Sequence, residues 1–132
     1  MANVTRQAEK LPESELEIML ALWKVGKAMT AGEITKHFAK DKGWKSATVH
    51  VLLDRLAEKG FVSCDKSSFK HLYSPLITEE SYRKGETTTF LSRFFGGSAK
   101  QMIASFITAD SLSDEDLDEL SAMINEKKVR SK

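Results

Sequence analysis

The 132-residue sequence predicts a mainly α-helical chain with one small β-hairpin. Three features carry that expectation. Apolar residues recur at helical spacing three times before Gly60. Two short apolar runs then flank a Lys-Ser-Ser turn. Further helical stretches follow Pro75.

Leu16, Met19, Leu20 and Trp23 stand at i, i+3, i+4 and i+7, the spacing of one helix stripe. Pro12 ahead of Glu13 and Glu15 suits the start of that helix: proline lacks the N–H that would go unpaired there, and acids favour the positive dipole end. Gly26 ends it. Thr30-Ala31-Gly32-Glu33 has the capping-box pattern and opens a second helix, through about Ala39, that buries Ile34 and Phe38. A turn at Asp41-Lys42-Gly43 leads to a third helix from about Ser46 to Lys59. Val49, Leu52, Leu53 and Leu56 face inward, and Gly60 stops it. Residues 61–65 read as a strand, Lys66-Ser67-Ser68 as a turn and Phe69 to Ser74 as the returning strand, ended by Pro75. Three helices and then a hairpin is the order of a winged helix-turn-helix, in which the hairpin, or wing, lies beside a DNA-reading helix. Residues 1–77 are assigned to that domain.

Residues 78–132 read as helices over 79–95, 98–108 and from the Ser113/Asp116 cap signal to about Lys128. Their apolar positions are Phe90, Leu91, Phe94 and Phe95, then Met102, Ile103, Phe106 and Ile107, then Leu117, Leu120 and Ile124. Helices this short and one-sided need a cover. A helical dimerisation arm is expected, making a homodimer that reads a two-fold DNA site.

Charge distribution agrees. Residues 1–77 carry 12 Lys/Arg against 9 Asp/Glu and all three histidines, whereas residues 78–132 carry 8 against 10. The DNA-binding residues expected on the third helix are Ser46, Ala47, Thr48, His50 and Val51. Lys42, Lys45 and Arg55, with Lys66 and Lys70 on the wing, are expected on phosphate. Trp44 is expected to pack in the core against the first helix. Cys64 stands alone, which excludes an intrachain disulfide and a CxxC metal site. No metal site or cofactor is expected. No Gly-rich phosphate loop or nucleophile–base signature is present, so the chain does not read as an enzyme. The start, MANVTRQAEK, has no apolar segment of a secretory signal, and no apolar run approaches the roughly 20 residues of a membrane span. A cytoplasmic protein without membrane insertion is expected.

Together these pieces resemble the BlaI/MecI/CopY family of bacterial repressors over about residues 11–126. The resemblance lies in Leu16-Glu17-Ile18-Met19 with Trp23, Trp44 with Thr48, Leu53-Asp54-Arg55-Leu56 before Lys59-Gly60, and Tyr73. It continues in residues 90–97 and 112–117. It implies a homodimer on palindromic operator DNA, rich in TACA/TGTA, upstream of β-lactamase-type resistance genes. It also implies release when a membrane β-lactam sensor protease leads, directly or indirectly, to cleavage in the dimerisation half. The family's cleaved pair, typically Asn-Phe, corresponds here to Ser105-Phe106. Its usual Ser-Pro-Lys-Thr after the tryptophan is Lys45-Ser46-Ala47-Thr48. The cysteine cluster of the copper-responsive branch is missing from the C-terminal end, which disfavours copper sensing. Two other readings fit the residue pattern. One is a ligand-responsive MarR-type regulator. The other is a winged-helix protein-interaction module that does not bind DNA.

Overall fold

The computed structural model describes residues 10–131. The chain forms two compact units, divided between Thr87 and Thr88. In the first unit the order is α1 (Glu13–Val25), β1 (Met29–Thr30), α2 (Ala31–Ala39), α3 (Ser46–Glu58), β2 (Val62–Asp65) and β3 (Leu72–Pro75). Helix α4 (Glu79–Phe95) begins in it and ends in the second unit, followed by α5 (Ala99–Thr108) and α6 (Asp114–Ser131).

The local signals act where the pattern placed them. Pro12 is the N-cap of α1, and Gly26 closes it at φ 76°, donating its N–H to the Leu22 carbonyl at 3.0 Å. That left-handed geometry favours glycine. The Thr30 hydroxyl accepts the Glu33 N–H at 3.1 Å, and the Glu33 carboxylate accepts the Thr30 N–H at 2.8 Å, completing the capping box. Hydrogen bonding from the Thr30 backbone N–H first, and from its side chain second, holds the Glu33 carboxyl below its ordinary pKa.

The core of the first unit is one cluster. Ile18, Met19, Leu22, Ile34, Val49, Leu53, Leu56 and Phe61 are fully buried, each side chain contributing about 1.5–3 kcal/mol by leaving water. The inward face expected for α3 is the face observed. That of α1 is turned: Ile18, Met19 and Leu22 fill the core while Leu20 is 42% exposed. Leu16 and Trp23 are partly buried at its margin. Ile18 and Leu22 define a second apolar stripe beside the expected one, and packing against α3 selects it.

The hairpin is part of a three-stranded antiparallel sheet in the order β1-β3-β2. β1 pairs Met29 with Tyr73 and Thr30 with Leu72. β2 pairs Val62 with Pro75 and Cys64 with Tyr73. The returning strand starts at Leu72, not Phe69, so residues 66–71 form the wing loop. The start of α4 is stitched to this unit. Tyr82 is buried, its hydroxyl accepts the Leu11 N–H at 3.0 Å, and Trp23 Nε1 donates to the Ile77 carbonyl at 2.9 Å.

In the second unit, Phe90 meets Phe94 at 4.9 Å and Phe95 at 5.8 Å between ring centroids. Ser98 caps α5, and Ser113 with Asp116 forms the expected cap of α6. Neither α5 nor α6 buries a residue among those described.

Candidate nucleic-acid interface

Helix α3 shows one face to the core and the other to solvent. Val49, Leu52, Leu53 and Leu56 are buried, while Ser46, Ala47, Thr48, His50, Val51 and Arg55 are exposed. The expected base-reading residues therefore share one open surface. Lys45 is the N-cap residue, its side chain takes no part in capping, and the first turn carries no acid. The positive end of the helix dipole is thus left uncovered, a disposition that favours phosphate.

His50 is oriented by its own helix. Its Nδ1 lies 2.9 Å from the Ser46 carbonyl and 3.4 Å from the Ser46 hydroxyl. A carbonyl can only accept, so the neutral ring carries its proton on Nδ1 and offers Nε2 as an acceptor. That matches the amino groups of adenine and cytosine at the major-groove edge.

α3 is held to α1 by an ion pair that the periodicity did not reveal. Glu15 is 2% exposed, and its Oε1 lies 2.6 Å from Nζ of Lys59, the C-cap residue of α3. Trp44 packs on the core, but the ring it meets is Phe38 of α2, at 4.7 Å, where the first helix was expected. Lys42 is paired with Glu17 at 3.3 Å, so a phosphate would compete with that carboxylate. Lys45 and Arg55, with Lys66 and Lys70 in the wing loop, are exposed.

The wing loop has internal bonds of its own. Asp65 Oδ1 accepts the Ser67 N–H at 2.9 Å, and the hydrogen bonds from Ser67 lower the pKa of that carboxyl. Between the wing and α3 lies an open groove of about 460 Å³, lined among others by Ala31, Gly32, His50, Phe69, Lys70 and His71. Phe69, expected as the first residue of the returning strand, lies on the loop ahead of β3. Beneath the wing, burial first and then contact with Cys64 push the Tyr73 phenol up to about 12, with the Asp54 charge adding to the rise.

No cluster of three or more potential metal ligands occurs among the described residues. Nor is any helix there long and apolar enough to cross a membrane.

A helix-turn-helix with a bare reading face, an acid-free first turn and a lysine-bearing wing defines a winged-helix DNA-binding protein. Comparison with known proteins narrows the class. Residues 11–126 match the penicillinase repressor family, and the chain belongs to that family of DNA-binding transcriptional repressors, which are not enzymes. It is similar to the penicillinase repressor of Bacillus licheniformis, with 31% identity over 127 residues, covering 96% of this chain and 98% of the relative. The methicillin resistance regulatory protein MecI of Staphylococcus aureus (strain N315) is 25% identical over 118 residues, covering 89% and 95%. The solution structure of the DNA-binding domain of the repressor BlaI superposes with a TM-score of 0.50 at 30% identity. It covers 55% of this chain and 88% of that domain.

Proposed function

We propose that the protein is a cytoplasmic, homodimeric repressor of β-lactamase-type resistance genes that holds palindromic TACA/TGTA operators and is released by cleavage in its dimerisation half. The observation that carries the DNA reading is the acid-free first turn of α3. It bears Ser46, Ala47, Thr48 and His50 in the open, with Lys45 beside them and Lys66 and Lys70 on the wing. Arg55 is the further phosphate ligand on the same helix.

Dimerisation is assigned to the apolar positions of residues 78–132. What supports it is surface without cover: Phe94 is 63% exposed, Ile103 44%, Phe106 46%, Ile107 51% and Ile124 52%. Leu91, Phe95, Met102, Leu117 and Leu120 are half-buried. Large apolar side chains left open to water favour association. Each protomer then reads one half-site, and tethering raises the effective concentration of the second reader. Cutting Ser105–Phe106, within α5, would detach Phe106, Ile107, Leu117, Leu120 and Ile124 from the reading unit. A membrane β-lactam sensor protease, acting directly or through another protease, is the partner this release requires.

Operator titration tests the reading. The full chain should sediment at about twice 14.8 kDa at micromolar concentration and shift a palindromic TACA/TGTA duplex in preference to random DNA. A chain ending at Ser105, shown to be folded by circular dichroism, should lose at least about tenfold in operator affinity, or about 1.4 kcal/mol. Equal binding to operator and random DNA refutes sequence-specific repression. Undiminished operator affinity in the shortened chain refutes release by this cleavage.

A further inference from the structure

Phe69 is 98% exposed on the wing loop. Single exposed apolar side chains are ordinary on protein surfaces, but three observations set this ring apart. First, its loop is braced. Asp65 Oδ1 accepts the Ser67 N–H at 2.9 Å, and the Ser68 hydroxyl donates to the Lys70 carbonyl at 2.7 Å, bridging across Phe69. The second observation is charge: Lys66 and Lys70 lie on either side of the ring in sequence, and both are exposed. The third is position, since Phe69 shares one groove of about 460 Å³ with His50 of the reading helix.

That groove has the chemistry of a backbone seat. Lys70 and His71 line it beside His50, with Ala31 and Gly32 at the start of α2. Lysine and histidine side chains can donate to a phosphate strand. A strand of duplex DNA is also the wall between the major and minor grooves. With α3 in the major groove, a side chain on the far side of that strand meets the minor groove.

We propose that the groove between α3 and the wing seats one sugar–phosphate strand of the operator duplex, and that Phe69 crosses it to insert as an apolar wedge into the adjacent minor groove. The proposal rests on the DNA-binding reading above. An inserted apolar side chain partly unstacks a base step and kinks the duplex. The deformation is cheapest at pyrimidine–purine steps. Phe69 is then a specificity-determining residue that reads the flexibility of a step flanking the half-site, where α3 makes no base contact.

The test uses the full chain and the duplex it enriches from a randomised pool, with 2-aminopurine walked through the flanks of each half-site. Binding of the wild type raises fluorescence at one flanking step per half-site. Phe69→Ala abolishes that rise and weakens binding by about 10–100-fold, the scale expected when an apolar or stacking contact to bases is lost. Phe69→Leu keeps most of both. The slope of log K against log salt is unchanged in Phe69→Ala, because no phosphate contact has gone. Thermal unfolding of the variants matches the wild type, since the ring is almost wholly exposed. Wild-type affinity in Phe69→Ala overturns the proposal, as does a fluorescence rise that persists in that variant. A wild-type complex without any fluorescence rise also overturns it. If the wild type enriches no duplex at all, it is the DNA-binding reading that fails.

Discussion

Lys59→Met should destabilise the first unit through a charge that the substitution leaves behind. Glu15 sits in the first turn of α1 with its side chain 3% exposed, and the Lys59 ammonium lies 2.6 Å from its Oε1. Removing one partner of a buried pair costs about 3–5 kcal/mol, because the other charge stays buried without compensation. Two features reduce the cost here. The Lys59 side chain is 25% exposed, so water already screens part of the interaction. The positive end of the α1 dipole also supports the carboxylate, by about 0.3–1 kcal/mol. The expected loss at pH 7 is therefore about 2–4 kcal/mol.

Urea unfolding at pH 7 reads the loss as a midpoint shift at constant slope. Glu15→Leu combined with Lys59→Met removes the stranded charge and should recover most of the loss. A loss below about 0.5 kcal/mol in Lys59→Met would refute the reasoning, placing the pair in the class of exposed, screened contacts.

Three further outcomes are expected. Thr48→Ala and His50→Ala should each weaken operator binding by about 1–3 kcal/mol with little effect on random DNA; equal losses on both would remove them from base reading. If each protomer places three or four cations on phosphate, log K against log salt should slope at about −5 to −7. Lys66→Ala should flatten that slope by about 2, because the dimer carries the change twice; an unchanged slope would take Lys66 off the DNA. Tyr73, whose phenol is pushed up to about 12, chiefly by burial, stabilises the fold fully below pH 10 and loses that contribution as pH rises toward 12. Tyr73→Phe should melt with a shallower fall in Tm across that interval, Tyr82 supplying a remaining part because its pKa is also raised by burial. An equally steep fall would exclude Tyr73 as a source of the alkaline loss.

What could be read from the sequence alone was whatever depends on neighbours along the chain. The capping box at Thr30 and Glu33, the stop at Gly26 and the inward face of α3 each involve residues within one or two helical turns, where geometry is set by the helix repeat. The candidate reading surface follows directly, since Ser46, Ala47, Thr48, His50 and Val51 are what remains once the core face of α3 is assigned. Contacts between distant segments were not legible. α1 offers overlapping apolar stripes, and only packing against α3 turned Ile18 and Leu22 inward and Leu20 outward. β1 is two residues long, too short to show a period, and exists because Met29 and Thr30 meet Tyr73 and Leu72. Phe69 looks like a strand residue in a short apolar run, but the ladder from β1 and β2 to β3 starts at Leu72 and leaves the ring on the loop. An acid in the first turn of α1 signals only a helix start, and the burial of Glu15 depends on a lysine 44 residues away. Local propensity is a property of a few consecutive residues, whereas burial and pairing belong to surfaces that exist only after the chain has folded.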